Sequence, residues 1–218
     1  MNVILSTVCL IGSYGVGKSS LVTSYMYQTF NDNVESTIGM SFFTKLIKHC
    51  DYCVDLNIWD TAGQERYANL LSMYSRNANI ILSMLDPTNP DDSYNYIKKN
   101  IVRILENRIK NPPYCIHIVV SKMDTQKNRE NAENLAKKTH KFIKKTLKSL
   151  NNSFTNIHIF YTSSYNKINI EEPFVHCLER IYREKNENFQ KKSNETDKLL
   201  LYVSDTENKK SCYSCSYI

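Results

Sequence analysis

One stretch near the start of the chain constrains its fold more than any other. Residues 12–19 read GSYGVGKS, in which three glycines precede a lysine and a serine. Glycines let the backbone turn tightly enough for its N–H groups to point at anionic oxygens. Lys18 adds a cation for terminal phosphates, and Ser19 adds a hydroxyl that Mg²⁺ can bind. The pattern therefore predicts a loop that binds the phosphates of a nucleotide.

The residues on either side of this loop decide between a phosphate site and an accidental glycine-rich turn. Residues 3–11 form an apolar run typical of a strand, and residues 18–27 continue as a helix. A strand, a loop and a helix in that order are the context in which the pattern binds phosphate. The helix also directs the positive end of its dipole at the phosphates.

The rest of the chain alternates between apolar runs and amphipathic segments. The periodicity predicts further strands at residues 41–47, 54–59, 80–85, 115–120 and 157–161. It predicts helices that open at Asn89-Pro90 and that cover residues 129–150 and 172–182. Strands that alternate with helices indicate an α/β fold, with a six-stranded, mostly parallel sheet and helices on both faces.

Length and charge limit the domain organisation and the partners. A chain of 218 residues fits one domain, which we place at 1–183, and a tail. Residues 184–218 are mostly polar, which predicts a flexible, largely disordered tail. The net charge of +6 suits an anionic ligand without requiring nucleic acid, and we expect no nucleic-acid partner. Since no apolar run reaches about 18 residues, we expect no membrane span.

Several features allow two interpretations. C-x-x-C pairs at residues 50–53 and 212–215 suit zinc, but the first also suits a hairpin turn and the second a modified chain end. The lysine stripe of helix 129–150 suits a membrane, an acidic partner or a solvated face. His117 and His158 lie in strand-like runs, and we interpret both as packed or edge residues, not ligands.

Polar residues stand where the predicted strands end, at the edge where ligands bind in such sheets. The hydroxyls of Ser19 and Thr37 can share a metal ion that Asp60 holds through water. The Gly63 N–H can meet a γ-phosphate. The carboxylate of Asp124 can accept two hydrogen bonds from a guanine edge, whereas adenine presents the wrong donors.

These residues, taken in order, resemble those of a known family. The pieces are 12–19, Thr37, 60–64, 121–124 and 162–164, and together they resemble a Ras-superfamily small GTPase. Residues 36–42, 58–67 and 74–79 look like the Rab branch, and the similarity covers about residues 5–182. The resemblance implies the P-loop GTPase (G-domain) fold and a GTP/GDP switch that hydrolyses GTP and regulates vesicle traffic.

The family's site residues carry over by position. The resemblance implies Gln64 and Lys18 as catalytic residues, with Gln64 orienting the attacking water. It implies Mg²⁺ as cofactor, held by Ser19, Thr37 and Asp60. It implies that GTP or GDP contacts Ser13, Gly15, Val16, Gly17, Lys18, Ser19, Ser20, Phe30, Thr37, Gly63, Ser121, Lys122, Asp124, Ser163 and Ser164.

The chain end and the partners follow from the same resemblance. Residues 215–218 read CSYI, a C-a-a-X prenylation pattern in which Tyr217 is not aliphatic. Cys215 and Cys212 are candidate lipid sites, and a chance terminal cysteine is the alternative. We expect a monomer in the cytoplasm and on the cytoplasmic face of endomembranes. Its partners would be an exchange factor, a GTPase-activating protein, a GDP-dissociation inhibitor or escort protein, and effectors.

Two departures from the family pattern keep other functions open. Ser121 stands where the guanine motif usually has Asn, which predicts weaker guanine binding and faster nucleotide loss. Tyr14 is bulky where small residues are common, and would sit near the γ-phosphate. Both residues motivate the alternative of a catalytically weak or pseudo-GTPase scaffold. A P-loop ATP enzyme is a third possibility, which Asp124 opposes.

Overall fold

The described part of the protein is built around a single β-sheet. A computed structural model describes residues 2–30, 36–49, 52–64, 68–124, 129–151 and 155–183. The strands are β1 Asn2–Ile11, β2 Met40–His49, β3 Tyr52–Thr61, β4 Ile80–Leu85, β5 Cys115–Val120 and β6 Asn156–Tyr161. The helices are α1 Lys18–Tyr27, α2 Ala68–Ser75, α3 Pro90–Glu106, α4 Arg129–Ser149 and α5, residues 172–183.

The strand order is β2-β3-β1-β4-β5-β6, and only the pairing of β2 with β3 is antiparallel. A short connection joins β2 to β3, whereas the parallel neighbours are joined by crossovers that contain helices. β4 and β5 are buried along their whole length because helices cover both faces. The predicted six-stranded, mostly parallel sheet is therefore confirmed.

Alternating residues of β1 divide the core into two layers. Val8 and Leu10 face the layer of α1 and α5, whereas Cys9 and Ile11 face the layer of α2, α3 and α4. This is the two-residue period of a strand that is covered on both sides. A stacked ring contact of the first layer joins Tyr25 to Phe174, whose ring centroids lie 3.9 Å apart at an interplanar angle of 9°.

The amphipathic prediction for α4 is confirmed. Its buried residues include Leu135, Ile143 and Leu147, which pack in the second layer. The lysines of the stripe are exposed on the opposite side of the helix, namely Lys137, Lys141, Lys144, Lys145 and Lys148.

β2 and β3 are longer than predicted. Their antiparallel register runs without a break from Met40 opposite Thr61 to His49 opposite Tyr52. Strand pairing thus extends each strand by one or two residues at both ends, several of them polar, such as Lys48 and Asp60. Trp59 of β3 packs against both Phe42 and Tyr74, with ring centroids 4.4 Å and 4.8 Å away.

Some predictions lie outside the described residues. Cys50 lies outside them, although Cys53 is buried in β3, so the first C-x-x-C pair is only half described. The predicted tail at 184–218, with Cys212 and Cys215, also lies outside them. Among the described residues, no helix is both long and apolar enough to cross a bilayer.

We predict that Phe174→Ala destabilises the domain by about 3–5 kcal/mol, the usual loss for a large aromatic removed from a core. Phe174 is completely buried, and its replacement removes the ring that stacks on Tyr25 of α1. Urea unfolding at a fixed GDP concentration measures the change. Ile109→Ala is the control, because Ile109 is 60% exposed and should change stability by less than about 0.5 kcal/mol. Equal losses for the two variants would contradict the prediction.

Candidate nucleotide-binding site

A crevice with two chambers lies at the carboxyl edge of the parallel strands. The first chamber, of about 210 Å³, is lined by the phosphate loop, Thr37 and Gly63. The second, of about 330 Å³, is lined by residues that include Phe30 and Asp124. Gly15, Gly17 and Ser20 line both chambers, so the two are adjacent. The structure thus places Lys18 and Asp124 in neighbouring chambers at the same edge of the sheet.

The phosphate loop depends on two glycines with left-handed backbone. Gly15 has φ of 71° and Gly17 has φ of 95°, values that side-chain-bearing residues rarely adopt. Gly17 lies directly before α1, so the turn ends where the N–H groups of the helix become available. Val16 between them is buried.

Lys18 is buried beneath this loop. Its Nζ donates to the carbonyls of Gly12, at 2.8 Å, and Ser13, at 2.9 Å. Burial lowers the pKa of Lys18 to about 8, although the charge of Asp60 opposes the shift. Anionic phosphates in the chamber would stabilise its charged form and reverse this shift.

The three residues predicted to hold a metal ion converge beside the loop. Ser19 Oγ donates to Asp60 Oδ2 at 2.6 Å and lies 2.8 Å from Thr37 Oγ1. Asp60 is 1% exposed, and its Oδ1 has no hydrogen-bond partner among the described residues. Burial raises the pKa of Asp60, against hydrogen bonds from Ser19 and Thr37 and the charge of Lys18. Such a set of hard oxygens with an unsatisfied carboxylate atom fits Mg²⁺.

Gly63 packs directly against the phosphate loop. A Cβ built on it would lie 2.4 Å from the carbonyl carbon of Ser13 and 2.5 Å from the nitrogen of Tyr14. Only glycine therefore allows this approach, which places the loop after β3 beside the phosphate chamber. Gln64 follows directly and is partly exposed.

The base chamber is built around Asp124. Ser163 Oγ donates to Asp124 Oδ1 at 3.0 Å and is itself fully buried, so its side chain orients the carboxylate. Phe30 and Tyr165 meet edge to face, with ring centroids 5.4 Å apart, and both line the chamber together with Ser164.

Lys122 is held beside the base chamber. Its backbone φ is 57°, and its Nζ pairs with Asp86 Oδ2 at 2.5 Å. Lys122 also lines the chamber, so its aliphatic stem is available for a base to lie on.

Ser121 connects the base chamber to the phosphate loop. Its Oγ lies 2.7 Å from the Val16 carbonyl and 3.0 Å from the Leu85 carbonyl. A hydroxyl carries one hydrogen, and here two main-chain oxygens compete for it. Ser121 therefore supports the phosphate loop but has no second donor for a base.

Comparison with known proteins decides the family. The family model described as the Ras family matches residues 7–183. The chain belongs to the Ras family. It is 36% identical to Ras-related protein Rab-22A of Mus musculus over 177 residues, 80% of this chain and 82% of that protein. It is 35% identical to Ras-related protein Rab-31 of Rattus norvegicus over 167 residues, 77% of this chain and 78% of that protein.

A yeast relative aligns over a shorter region. The chain is 40% identical to GTP-binding protein YPT53 of Saccharomyces cerevisiae over 131 residues, which are 60% of this chain and 58% of that protein. With the Rab relatives, this places the chain in the Rab branch. The protein is a Rab-like small GTPase, an enzyme that hydrolyses GTP and acts in membrane trafficking. Family membership contradicts the ATP-enzyme alternative, and the pseudo-GTPase alternative gains no support.

Several residues of the GTPase site were missing from the sequence-based set. They line the two chambers and are Ser36, Thr61, Thr88 and Tyr165, whereas Tyr14 lines the phosphate chamber where the sequence had placed it. Thr88 follows β4, and the rule that places ligands at carboxyl strand ends was the signal that would have found it. Tyr14 Oη lies 3.0 Å from Ser36 Oγ, a contact that no local pattern indicates.

We predict that Ser121→Asn slows GDP dissociation about three- to tenfold. An asparagine amide has two hydrogens, enough for the loop carbonyl and the base, and one added hydrogen bond contributes about 0.5–1.5 kcal/mol. Displacement of a fluorescent GDP analogue by excess GDP measures the rate. Ser121→Ala is the control, and should release GDP faster than the unchanged chain. Equal rates for the unchanged chain and Ser121→Asn would show that the hydroxyl is sufficient.

We also predict that nucleotide binding takes up protons above roughly pH 8, because phosphates raise the lowered pKa of Lys18. In this range the Lys18 side chain is largely neutral in the nucleotide-free protein and is protonated in the complex. Calorimetric titration of nucleotide-free protein with GDP, in buffers of different ionisation enthalpy, counts the protons. At roughly pH 6.5 Lys18 is charged in both states, so this lysine should contribute no uptake. A proton count that is the same at both pH values would contradict the role given to Lys18.

Proposed function

We propose that this pocket senses the γ-phosphate of GTP through two loops, one carrying Thr37 and the other Gly63. The main observation is the convergence of Ser19, Thr37 and Asp60 beside Lys18, in a crevice that continues to Asp124. One crevice with these groups can bind guanine selectively at one end and distinguish GTP from GDP at the other.

The metal ion of this proposal is Mg²⁺. Ser19 and Thr37 would hold it through their hydroxyls, and Asp60 through water. The ion would neutralise charge on the β- and γ-phosphates. Asp60 Oδ1 is buried and has no hydrogen-bond partner in the part of the chain that the structure describes, which supports this assignment, since a cation nearby offsets the cost of that carboxylate.

Hydrolysis in this site needs positioning more than covalent chemistry. Lys18 places its charge on the phosphates, and Gln64 orients the attacking water for an in-line approach. Intrinsic turnover should be slow, on the order of 10⁻⁴ to 10⁻² per second, until an activating protein supplies missing charge or geometry. Tyr14 projects over the phosphate chamber with 62% of its surface exposed, and restricts that protein's approach.

Loss of the γ-phosphate is the switching event. Thr37 and Gly63 share that phosphate as a ligand, and its removal leaves the two loops without their common contact. The loops then relax, and partners that need the ordered form dissociate. The two states would differ in their affinity for partners, namely exchange factors, activating proteins, a GDP-dissociation inhibitor or escort protein, and effectors.

Guanine specificity is assigned to Asp124. Its carboxylate, oriented by Ser163, accepts from the guanine edge, while Phe30 and Tyr165 pack around the base. Lys122 contributes the surface under the ring.

The tail completes the proposal. Residues 1–183 act as the switch domain, and 184–218 act as a spacer that ends in lipids on Cys212 and Cys215. Two lipid anchors bind a membrane more firmly than one, which suits a protein that works on the cytoplasmic face of endomembranes. The protein would act as a monomer and without nucleic acid. Its family and its Rab relatives support this part of the proposal.

We predict that Gln64→Asn lowers intrinsic GTP hydrolysis about ten- to hundredfold, because the shorter side chain misplaces the water by roughly an ångström. Single-turnover release of phosphate from GTP-loaded protein measures the rate. Gln28→Asn is the matched control and should leave the rate unchanged, because Gln28 is an exposed residue that contacts Glu171. An unchanged rate for Gln64→Asn would remove Gln64 from catalysis. No hydrolysis by the unchanged chain would overturn the proposed function.

A further inference from the structure

A second group of chemically active side chains lies away from the nucleotide crevice. Cys115 and His117 are two residues apart on β5, so they share one face of the sheet. His158 pairs with His117 from the neighbouring strand β6, and α5 adds His176 and Cys177 above them. Cys115 begins β5, whereas Ser121 follows its other end, so about 15–20 Å of strand separates this cluster from the guanine chamber.

The donor atoms of three of these residues are close to one another. His117 Nε2 lies 3.1 Å from Cys115 Sγ and 3.1 Å from His176 Nδ1. All three atoms lie within 4.8 Å of one another. Zinc bonds of about 2.0–2.1 Å to nitrogen and about 2.3 Å to sulfur require tetrahedral edges of about 3.3–3.6 Å. The two distances from His117 Nε2 are within a few tenths of an ångström of these edges, whereas Cys115 Sγ and His176 Nδ1, which lie within 4.8 Å of each other, would have to adjust more.

The orientation of the His117 ring is fixed from its other side. Its Nδ1 lies 3.7 Å from Cys177 Sγ, whose thiol donates to the Pro173 carbonyl at 2.9 Å. The tautomer with its hydrogen on Nδ1 carries its lone pair on Nε2, the nitrogen that faces Cys115 and His176. Metal-binding histidines are commonly held in this way, with a polar partner at the second nitrogen.

The charge states of the imidazoles suit a metal ion. Burial, with the charges of His176 and His158, holds the pKa of His117 well below its ordinary value. Burial also lowers the pKa values of His158 and His176. Neutral imidazole is the form that coordinates metals, and these shifts favour that form.

The cluster is reached from the surface. A cavity of about 220 Å³ is lined by His158, His176, Glu179, Arg180 and Arg183, and His176 is only partly buried. His158 stands at the side of this cavity, with its ring centroid 4.0 Å from that of His176. The two arginines oppose a dication, while Glu179 and a Cys115 thiolate attract one. We expect weaker binding than at sites with several thiolates.

We propose that Cys115, His117 and His176 form a binding site for Zn²⁺, with a fourth position open to water from the cavity. One thiolate with two imidazoles selects a borderline metal over the hard Mg²⁺ of the nucleotide site. The interpretation of His117 as a packed residue without a ligand role, made from sequence, is replaced by this proposal.

Cobalt substitution tests the site directly. The full chain with Cys212→Ser and Cys215→Ser is first treated with chelator, which is then removed, and is next loaded with GDP and excess Mg²⁺ and titrated with Co²⁺. We expect the d–d bands of a tetrahedral site with one thiolate-to-cobalt charge-transfer band, both abolished by Zn²⁺. Absence of the charge-transfer band would overturn the proposal.

Matched variants in the same background locate the metal. Cys115→Ser should remove the charge-transfer band, and His176→Asn should weaken Co²⁺ binding at least about tenfold. Cys53→Ser is the control, another buried thiol that lies on β3 and should leave band and affinity unchanged. A band lost in Cys53→Ser but kept in Cys115→Ser would place the metal at the 50–53 pair and overturn the proposal.

A stability measurement covers the case in which a variant folds poorly. Zn²⁺ should raise the thermal midpoint of the background chain and of Cys53→Ser, because the metal binds the folded state. It should not raise that of Cys115→Ser, whose folding is checked by its retained GDP. An equal rise for Cys115→Ser and the background chain would overturn the proposal. Because GTP hydrolysis is measured separately, the zinc site and the proposed function can fail independently.

Discussion

Two opposite charges are buried together under the phosphate loop, and the rest of the site is arranged around them. Lys18 is 6% exposed and Asp60 is 1% exposed, so each is removed from water that would otherwise solvate it. Carbonyls of the loop and the hydroxyl of Ser19 replace only part of that solvation. In the proposed function, phosphates and a cation would supply the missing part, and this would link nucleotide binding to domain stability.

This constraint explains why the loops after β1 and β3 approach so closely. Gly63 lies against Ser13 at a distance that no side chain permits, and Thr37 reaches Ser19 from a third segment. Each contact brings a polar group to the same small volume. The geometry therefore serves recognition of a highly charged ligand, and the sheet behind it supplies the rigid support.

The fold was predictable where the signal is local, and the site only in part. The apolar runs of β4 and β5 and the glycine spacing of the phosphate loop are visible in short windows. The ends of β2 and β3 were missed because pairing extends them through residues such as Lys48 and His49. Tyr165 of the base chamber and His176 of the proposed zinc site were missed because their partners, Phe30 and His117, are far away in the sequence. No spacing rule connects residues that only the crossovers bring together.

Trp59 gives the protein a property that goes beyond its structural role. It is the only tryptophan of the chain, it lies between the rings of Phe42 and Tyr74, and it directly precedes Asp60. Indole emission responds to nearby dipoles and to ring contacts. The fluorescence of Trp59 should therefore report any rearrangement at Asp60 without an attached dye.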